Sequence, residues 1–169
     1  SARMPSLQPA FAEDGSITAA NASQLSDGAA ALLLANAESA SALQSRPLAR
    51  IVSWGTHACE AEWFTVAPVG AIRQALARAQ WSVDSVDLWE INEAFAVVPL
   101  AAMQELGIAP DKLNVCGGAI ALGHPLGASG ARIVVTLVSA LQRLGRQRGV
   151  AAICIGGGEA LALCVERCA

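Results

Sequence analysis

Between Ala128 and Leu144 the sequence predicts one long helix, and apolar side chains surround it: Ala131, Ile133, Val134, Val135, Leu137, Val138, Ala140 and Leu141 leave no polar stripe. A helix that is apolar all round is buried all round. A single sheet covers only one side of it, so the opposite side needs a further layer from a second domain or subunit. The chain therefore reads as half of a larger layered structure.

The rest of the pattern supplies the sheet. Asn36 is placed to cap a short helix through Leu43 that Arg46-Pro47 stops. Leu48 to Trp54 alternates as a strand, and Pro68 suits the first turn of a helix to Ala79 whose Ile72, Leu76 and Ala79 share a face. A strand over Asp87 to Ile91 follows, then a helix after Asn92-Glu93 to about Leu106 with Pro99 near its start. A short strand is expected at Asn114 to Cys116. Val150 to Ile155 and Leu161 to Val165 read as a hairpin joined by glycines, and the apolar run Ala29 to Leu34 as a buried strand. Thr18 to Leu25 reads as a short helix or a structured loop. The order indicates an α/β fold with a mixed sheet.

The 169 residues are one domain's worth of chain, and a net charge of −3 with only 11 Lys and Arg gives no electrostatic footprint for nucleic acid. A small ligand bearing phosphate remains compatible. Hydrophobic residues make up 54% of the chain, yet no apolar run reaches the roughly 18–20 residues of a membrane span. Ser1-Ala2-Arg3-Met4-Pro5 holds neither the apolar core of an export signal nor a basic run. Five cysteines without a Cys-x-x-Cys pair argue against a disulfide framework and for a reducing, cytoplasmic setting. Cys164 and Cys168 read as buried thiols in or beside a terminal strand, and no metal site is expected.

Two glycine-rich stretches carry chemistry. In Gly123-His124-Pro125-Leu126-Gly127, one of only two histidines sits where its side chain has little packing to gain. Tight turns alone and catalytic positioning both account for such a loop. A phosphate cradle is the weaker interpretation, because no nucleotide fingerprint is present. In Cys154-Ile155-Gly156-Gly157-Gly158 a thiol adjoins bare backbone N–H groups, the ingredients of an oxyanion hole, although an apolar strand is also an ordinary home for cysteine. Asn92-Glu93-Ala94-Phe95 ends an apolar strand, where open α/β folds place ligand-binding groups; helix capping by Asn92 is the alternative. His57, beside Ala58 and Cys59, reads as structural or superficial.

Taken in order, Asn92-Glu93-Ala94-Phe95, Gly123-His124-Pro125 and Cys154-x-Gly-Gly-Gly resemble the C-terminal half of the thiolases, with the bacterial acetyl-CoA acetyltransferases nearest among them. Gln8 to Phe11, Asn21-Ala22-Ser23, Asp27 to Ala30 and Gly123 to Arg132 extend the likeness along nearly the whole chain. The resemblance implies one half of a layered fold with twofold pseudosymmetry, its mixed sheet carrying helices on both faces. Residues 1–46 would close the N-terminal thiolase domain and 47–169 would form the C-terminal one.

It further implies reversible Claisen condensation and thiolysis of acetyl-CoA and acetoacetyl-CoA or short 3-ketoacyl-CoA, by two-stage chemistry through an acyl-cysteine. His124 would activate the nucleophile and help to bind the thioester oxygen. Cys154 would shuttle the α-carbon proton. Asn92 would hold the water of one oxyanion site and the Gly156 N–H would serve the other. Ser23 and Phe95 would line the pantetheine tunnel. Coenzyme A thioesters are substrates and no resident cofactor is expected. The implied partners are the N-terminal thiolase half, which carries the nucleophilic cysteine, and further copies in a homodimer or homotetramer.

Two stretches depart from the family pattern: Cys116 where Asn or His is usual, and Phe64 to Pro68, which lacks Gly-x-Gly-Pro beside the acyl and pantetheine region. A related condensing enzyme would usually carry His or Asn at position 154. A noncatalytic dimerisation or scaffold domain would lack the nucleophile altogether.

Overall fold

In a computed structural model, residues 3–42, 44 and 46–168 are described. Helix α1 spans Ala37–Ala42, capped by Asn36, whose Oδ1 accepts the Ser39 N–H at 2.8 Å; the expected end at Leu43 lies outside the described residues. Strand β1, Ala49–Ala58, runs four residues past the stretch read as strand. Helix α2 is Ala67–Ala79, with Pro68 in its first turn and Gln80 in the left-handed region at φ 58 to end it. Strand β2, Leu88–Ile91, is followed by helices α3, Val97–Leu106, α4, Ala119–Leu122, and α5, Ser129–Arg143. Strands β3, Arg148–Cys154, and β4, Glu159–Arg167, complete the element list.

The sheet order is β1-β4-β3-β2. Strands β3 and β4 form the expected antiparallel hairpin, β4 pairs antiparallel with β1, and β2 lies parallel to β3 with Ile91 opposite Ala152. It is a mixed sheet with helices on both faces. Alternation along the strands divides the core in two. Trp89, Ile91, Val150, Ala152, Ala160, Ala162 and Cys164 pack toward Ala71, Ile72 and Leu76 of α2 and Val98 and Ala102 of α3. Leu88, Ala151 and Val165 pack toward Ile133, Leu137, Ala140 and Leu141 of α5.

Helix α5 is buried on its sheet side, and Val135 on the other is 42% exposed, the side for which a layer from a second domain or subunit is expected. Three expectations are corrected. The run Ala29 to Leu34 forms no strand: it is unpaired among the described residues, and Leu33 is 84% exposed. The strand expected at Asn114 to Cys116 shrinks to a single bridge between Trp89 and Leu113. The Asn114 side chain takes the edge instead, its Oδ1 accepting the Ile91 N–H at 2.8 Å and its Nδ2 donating to the Ile91 carbonyl at 2.9 Å. Helix α3 starts only at Val97, because the backbone before it is engaged elsewhere: the Ala94 carbonyl accepts the Ser23 N–H and the Ala96 N–H donates to Asn21. Pro99 falls in the first turn of α3, where its missing N–H leaves no helical bond unmade.

Candidate active site

The parallel strands β2 and β3 end side by side, with the Asn92 N–H on the Ala152 carbonyl at 2.9 Å. Asn92 and Cys154 therefore leave the sheet at the same edge. Asn92 caps no helix. It is 1% exposed, and its amide lies between two partners: Nδ2 is 3.2 Å from His124 Nε2, and Oδ1 accepts from Arg132 Nη2 at 3.2 Å.

His124 is held from three directions. Its N–H donates to the Gln24 carbonyl at 2.8 Å, which draws the segment before Asp27 against the loop. Its Nδ1 is 2.6 Å from the Ser129 hydroxyl, which donates to the Pro125 carbonyl at 3.0 Å. The turn into this loop needs glycine at position 123, where φ is 94 and a β-carbon would run into the Ser26 side chain. Burial, reinforced by the Arg132 charge, holds His124 below the usual imidazole range, so the neutral base is the favoured form.

Beneath the pair lies an ion pair that the sequence reading missed. Arg132 Nη1 donates to Glu90 Oε1 at 2.8 Å, and the Glu90 side chain is 2% exposed. Burial pushes the Glu90 carboxyl up to about 7, with Arg132 pulling it down and Glu93 adding to the rise. The signal was present: a carboxylate inside the apolar run Leu88 to Ile91 requires a partner. What spacing could not say is which of the 11 Lys and Arg answers it.

Glu93 points the other way, accepting from Asn114 Nδ2 at 3.0 Å and from the Ile120 N–H at 3.1 Å. A β-carbon on Gly118 would overlap its carboxylate. Adjacent residues thus fasten two parts of one loop, Asn92 the imidazole and Glu93 the turn into α4.

Cys154 is buried at the end of β3, and burial raises its thiol above the ordinary range, so it carries its proton at neutral pH. Backbone bonds close the turn that follows it. Ile155 donates to the Glu159 carbonyl and Gly158 to the Ile155 carbonyl, while Gly156 is exposed and its N–H has no backbone acceptor among the described residues. The Gly158 carbonyl accepts the Cys59 N–H at 3.0 Å, tying this turn to the end of β1.

His124 and Asn92 are in contact. Cys154 and Gly156 share their edge of the sheet but make no hydrogen bond to either among the described residues. Ser23 is brought in through Ala94, whose carbonyl accepts from both its N–H and its hydroxyl. Phe95 packs edge-on against Phe11 and Phe64, with ring centroids 5.7 and 6.1 Å away. His57 lies on β1 with its ring over Gly70 of α2, outside this constellation. Cys164 is fully buried in β4.

The ends of the two parallel strands thus bring together a neutral imidazole, a protonated thiol and the exposed Gly156 N–H, groups able to support acid–base chemistry. The chain belongs to the thiolase family: the model for the thiolase C-terminal domain matches residues 45–167 and that for the N-terminal domain matches residues 2–38. The cytosolic acetyl-CoA acetyltransferase of Mus musculus is 55% identical over 166 residues, covering 97% of this chain and 42% of its own length. An acetyl-CoA acetyltransferase of Chromobacterium violaceum is 52% identical over 161 residues, covering 95% of this chain and 41% of its own. The crystal structure of the Bacillus anthracis acetyl-CoA acetyltransferase superposes with a TM-score of 0.96 at 44% identity, over 99% of this chain and 42% of that one. The Acat5 thiolase of Ascaris suum in complex with coenzyme A superposes at 0.89, with 46% identity. The chain thus spans about two fifths of the length of these relatives.

Proposed function

We propose that this chain is the C-terminal part of an acetyl-CoA C-acetyltransferase that interconverts two acetyl-CoA with acetoacetyl-CoA and coenzyme A, or handles short 3-ketoacyl-CoA. The observation that carries this reading is the convergence, at the ends of β2 and β3, of the Asn92–His124 pair and the buried Cys154 thiol; burial favours the neutral imidazole and the protonated thiol. A neutral imidazole accepts a proton from a nucleophilic thiol. A protonated thiol donates one to a carbanion.

In the direction of thiolysis, a cysteine of the N-terminal half attacks the 3-keto carbonyl as His124 takes its proton. The C–C bond breaks, and the electron pair goes to the α-carbon of the departing thioester. Cys154 protonates that carbon, releasing acetyl-CoA and leaving the acyl group on the nucleophile. The Cys154 thiolate regains a proton from the His124 imidazolium; coenzyme A then attacks the acyl group, breaking its bond to the nucleophilic cysteine, and the coenzyme A thiol proton passes through the freed imidazole to that departing cysteine. Oxygen charge develops in each stage and needs donors already aimed at it. A water held by Asn92 together with the imidazole serves one site, and the Gly156 N–H serves the other. Ser23 and Phe95 border the path of the pantetheine arm.

Residues 1–46 close the N-terminal domain in this reading, which accounts for the exposed apolar run Ala29 to Leu34 and for the uncovered side of α5. The intact protein is a cytoplasmic homodimer or homotetramer of fatty acid metabolism. The test is consumption of acetoacetyl-CoA with coenzyme A by the intact protein. Stoichiometric appearance of two acetyl-CoA is expected, and absence of cleavage by correctly folded protein overturns the assignment.

A further inference from the structure

The two ends of an asparagine amide have almost the same shape but opposite hydrogen-bonding sense, so something must decide which end of Asn92 meets His124. The guanidinium of Arg132 has donors and no acceptor. Standing 3.2 Å from one end of the amide, it requires the oxygen there and turns the NH2 toward His124. An NH2 directed at Nε2 requires a lone pair on that nitrogen, so the ring proton lies on Nδ1. Ser129 agrees: its only hydroxyl proton goes to the Pro125 carbonyl, which leaves its oxygen to accept from Nδ1–H at 2.6 Å.

We propose that Arg132, clamped by Glu90, is a positioning residue that fixes the orientation of the Asn92 amide and thereby places the His124 proton on Nδ1 and its lone pair on Nε2. Glu90 holds the guanidinium through Nη1 while Nη2 reaches Asn92, so the planar fork spans both partners at once. The site is dry enough for this to matter, because Asn92 is 1% and Glu90 2% exposed. The role in catalysis rests on the thiolase reading, since that chemistry uses the Nε2 lone pair; the placement of the proton does not.

The experiment is nitrogen-15 NMR of the imidazoles in the full chain, with His57→Gln used to assign the only other histidine. His124 is expected as the Nδ1–H tautomer. Arg132→Lys keeps a positive charge but loses the fork, and the ratio of Nδ1–H to Nε2–H should fall on the order of tenfold, the scale of one charge-assisted hydrogen bond. In an Asn92→Ala background the same Arg132→Lys change should leave the ratio unaltered, because the arginine acts through the amide.

Asn92→Asp, which keeps Arg132 and presents only acceptors to both neighbours, should move the proton onto Nε2; it also decides the matter if Arg132→Lys fails to fold. Persistence of Nδ1–H in both Arg132→Lys and Asn92→Asp overturns the proposal. So does an equal shift with and without Asn92, which would mean that charge alone acts. Since the imidazole is observed directly, these results stand whether or not the intact protein cleaves 3-ketoacyl-CoA. Lost cleavage with the Nδ1–H tautomer intact refutes the functional reading alone.

Discussion

On the proposed function, His124→Ala and Cys154→Ala in the intact protein are each expected to lower kcat for acetoacetyl-CoA thiolysis by about 10²–10⁴-fold, the range for removal of a positioned acid–base group. The two variants fail at different steps. Without His124 the attacking thiol has no base, so acyl-enzyme formation from acetyl-CoA is lost together with thiolysis. Without Cys154 that half-reaction continues, because it transfers no proton to carbon, and only C–C bond making and breaking stops. Exchange of coenzyme A into acetyl-CoA distinguishes them: retained in Cys154→Ala, abolished in His124→Ala. Parental exchange in both variants, or its loss in both, contradicts the assigned division of labour.

The second large effect concerns stability. Arg132→Ala leaves Glu90 buried without its cation, and breaking a buried pair costs about 3–5 kcal/mol. The cost depends on pH. Burial raises the folded-state pKa of Glu90 from its ordinary 4.5 to about 7, so between those values the folded chain binds more protons than the unfolded one. The stabilisation from this proton uptake is fully present below 4.5 and is lost as pH rises through 7.

Removing Arg132 takes away the largest lowering influence and carries the folded value higher. Urea titrations should accordingly show Arg132→Ala most damaging near pH 8 and milder near pH 5, where the carboxyl is neutral. His124 acts in the opposite sense, since its depressed value favours the folded chain above the unfolded pKa and costs stability as pH falls. Because the Arg132 charge also depresses His124, its removal relaxes that penalty as well and acts in the same direction, making the variant milder at low pH; a pH-independent difference would contradict the buried-carboxylate account.

The sheet and its helices were legible because their signals are local. Pro68 at the start of α2 and the apolar runs of β3 and β4 joined by glycines each act within a few residues. The misreadings share one cause: partners the chain's own pattern does not name. Ala29 to Leu34 has the composition of a buried strand but no neighbour among the described residues. Asn114 supplies a side-chain amide where a strand was expected, and residues 94–96 pair with 21–23 rather than starting a helix.

The candidate site shows the same division. His124 stood out because its side chain has little packing to gain in a glycine loop, Cys154 because bare glycine N–H groups adjoin its thiol, and Asn92 because it ends an apolar strand. Ser129, Arg132 and Glu90 did not, because serine at the start of a helix, arginine on its second turn and glutamate in a strand are individually ordinary. They become informative only when the fold brings 90, 92, 124, 129 and 132 together.

In the proposed mechanism Cys154 moves protons and the acyl group is carried elsewhere. Brief reaction of the intact protein with acetyl-CoA, acid quenching and mass spectrometry of the peptides would locate the acetyl group. It should be found on a cysteine of the N-terminal half, with all five cysteines of this chain unmodified; an acetyl thioester on Cys154 would contradict the account.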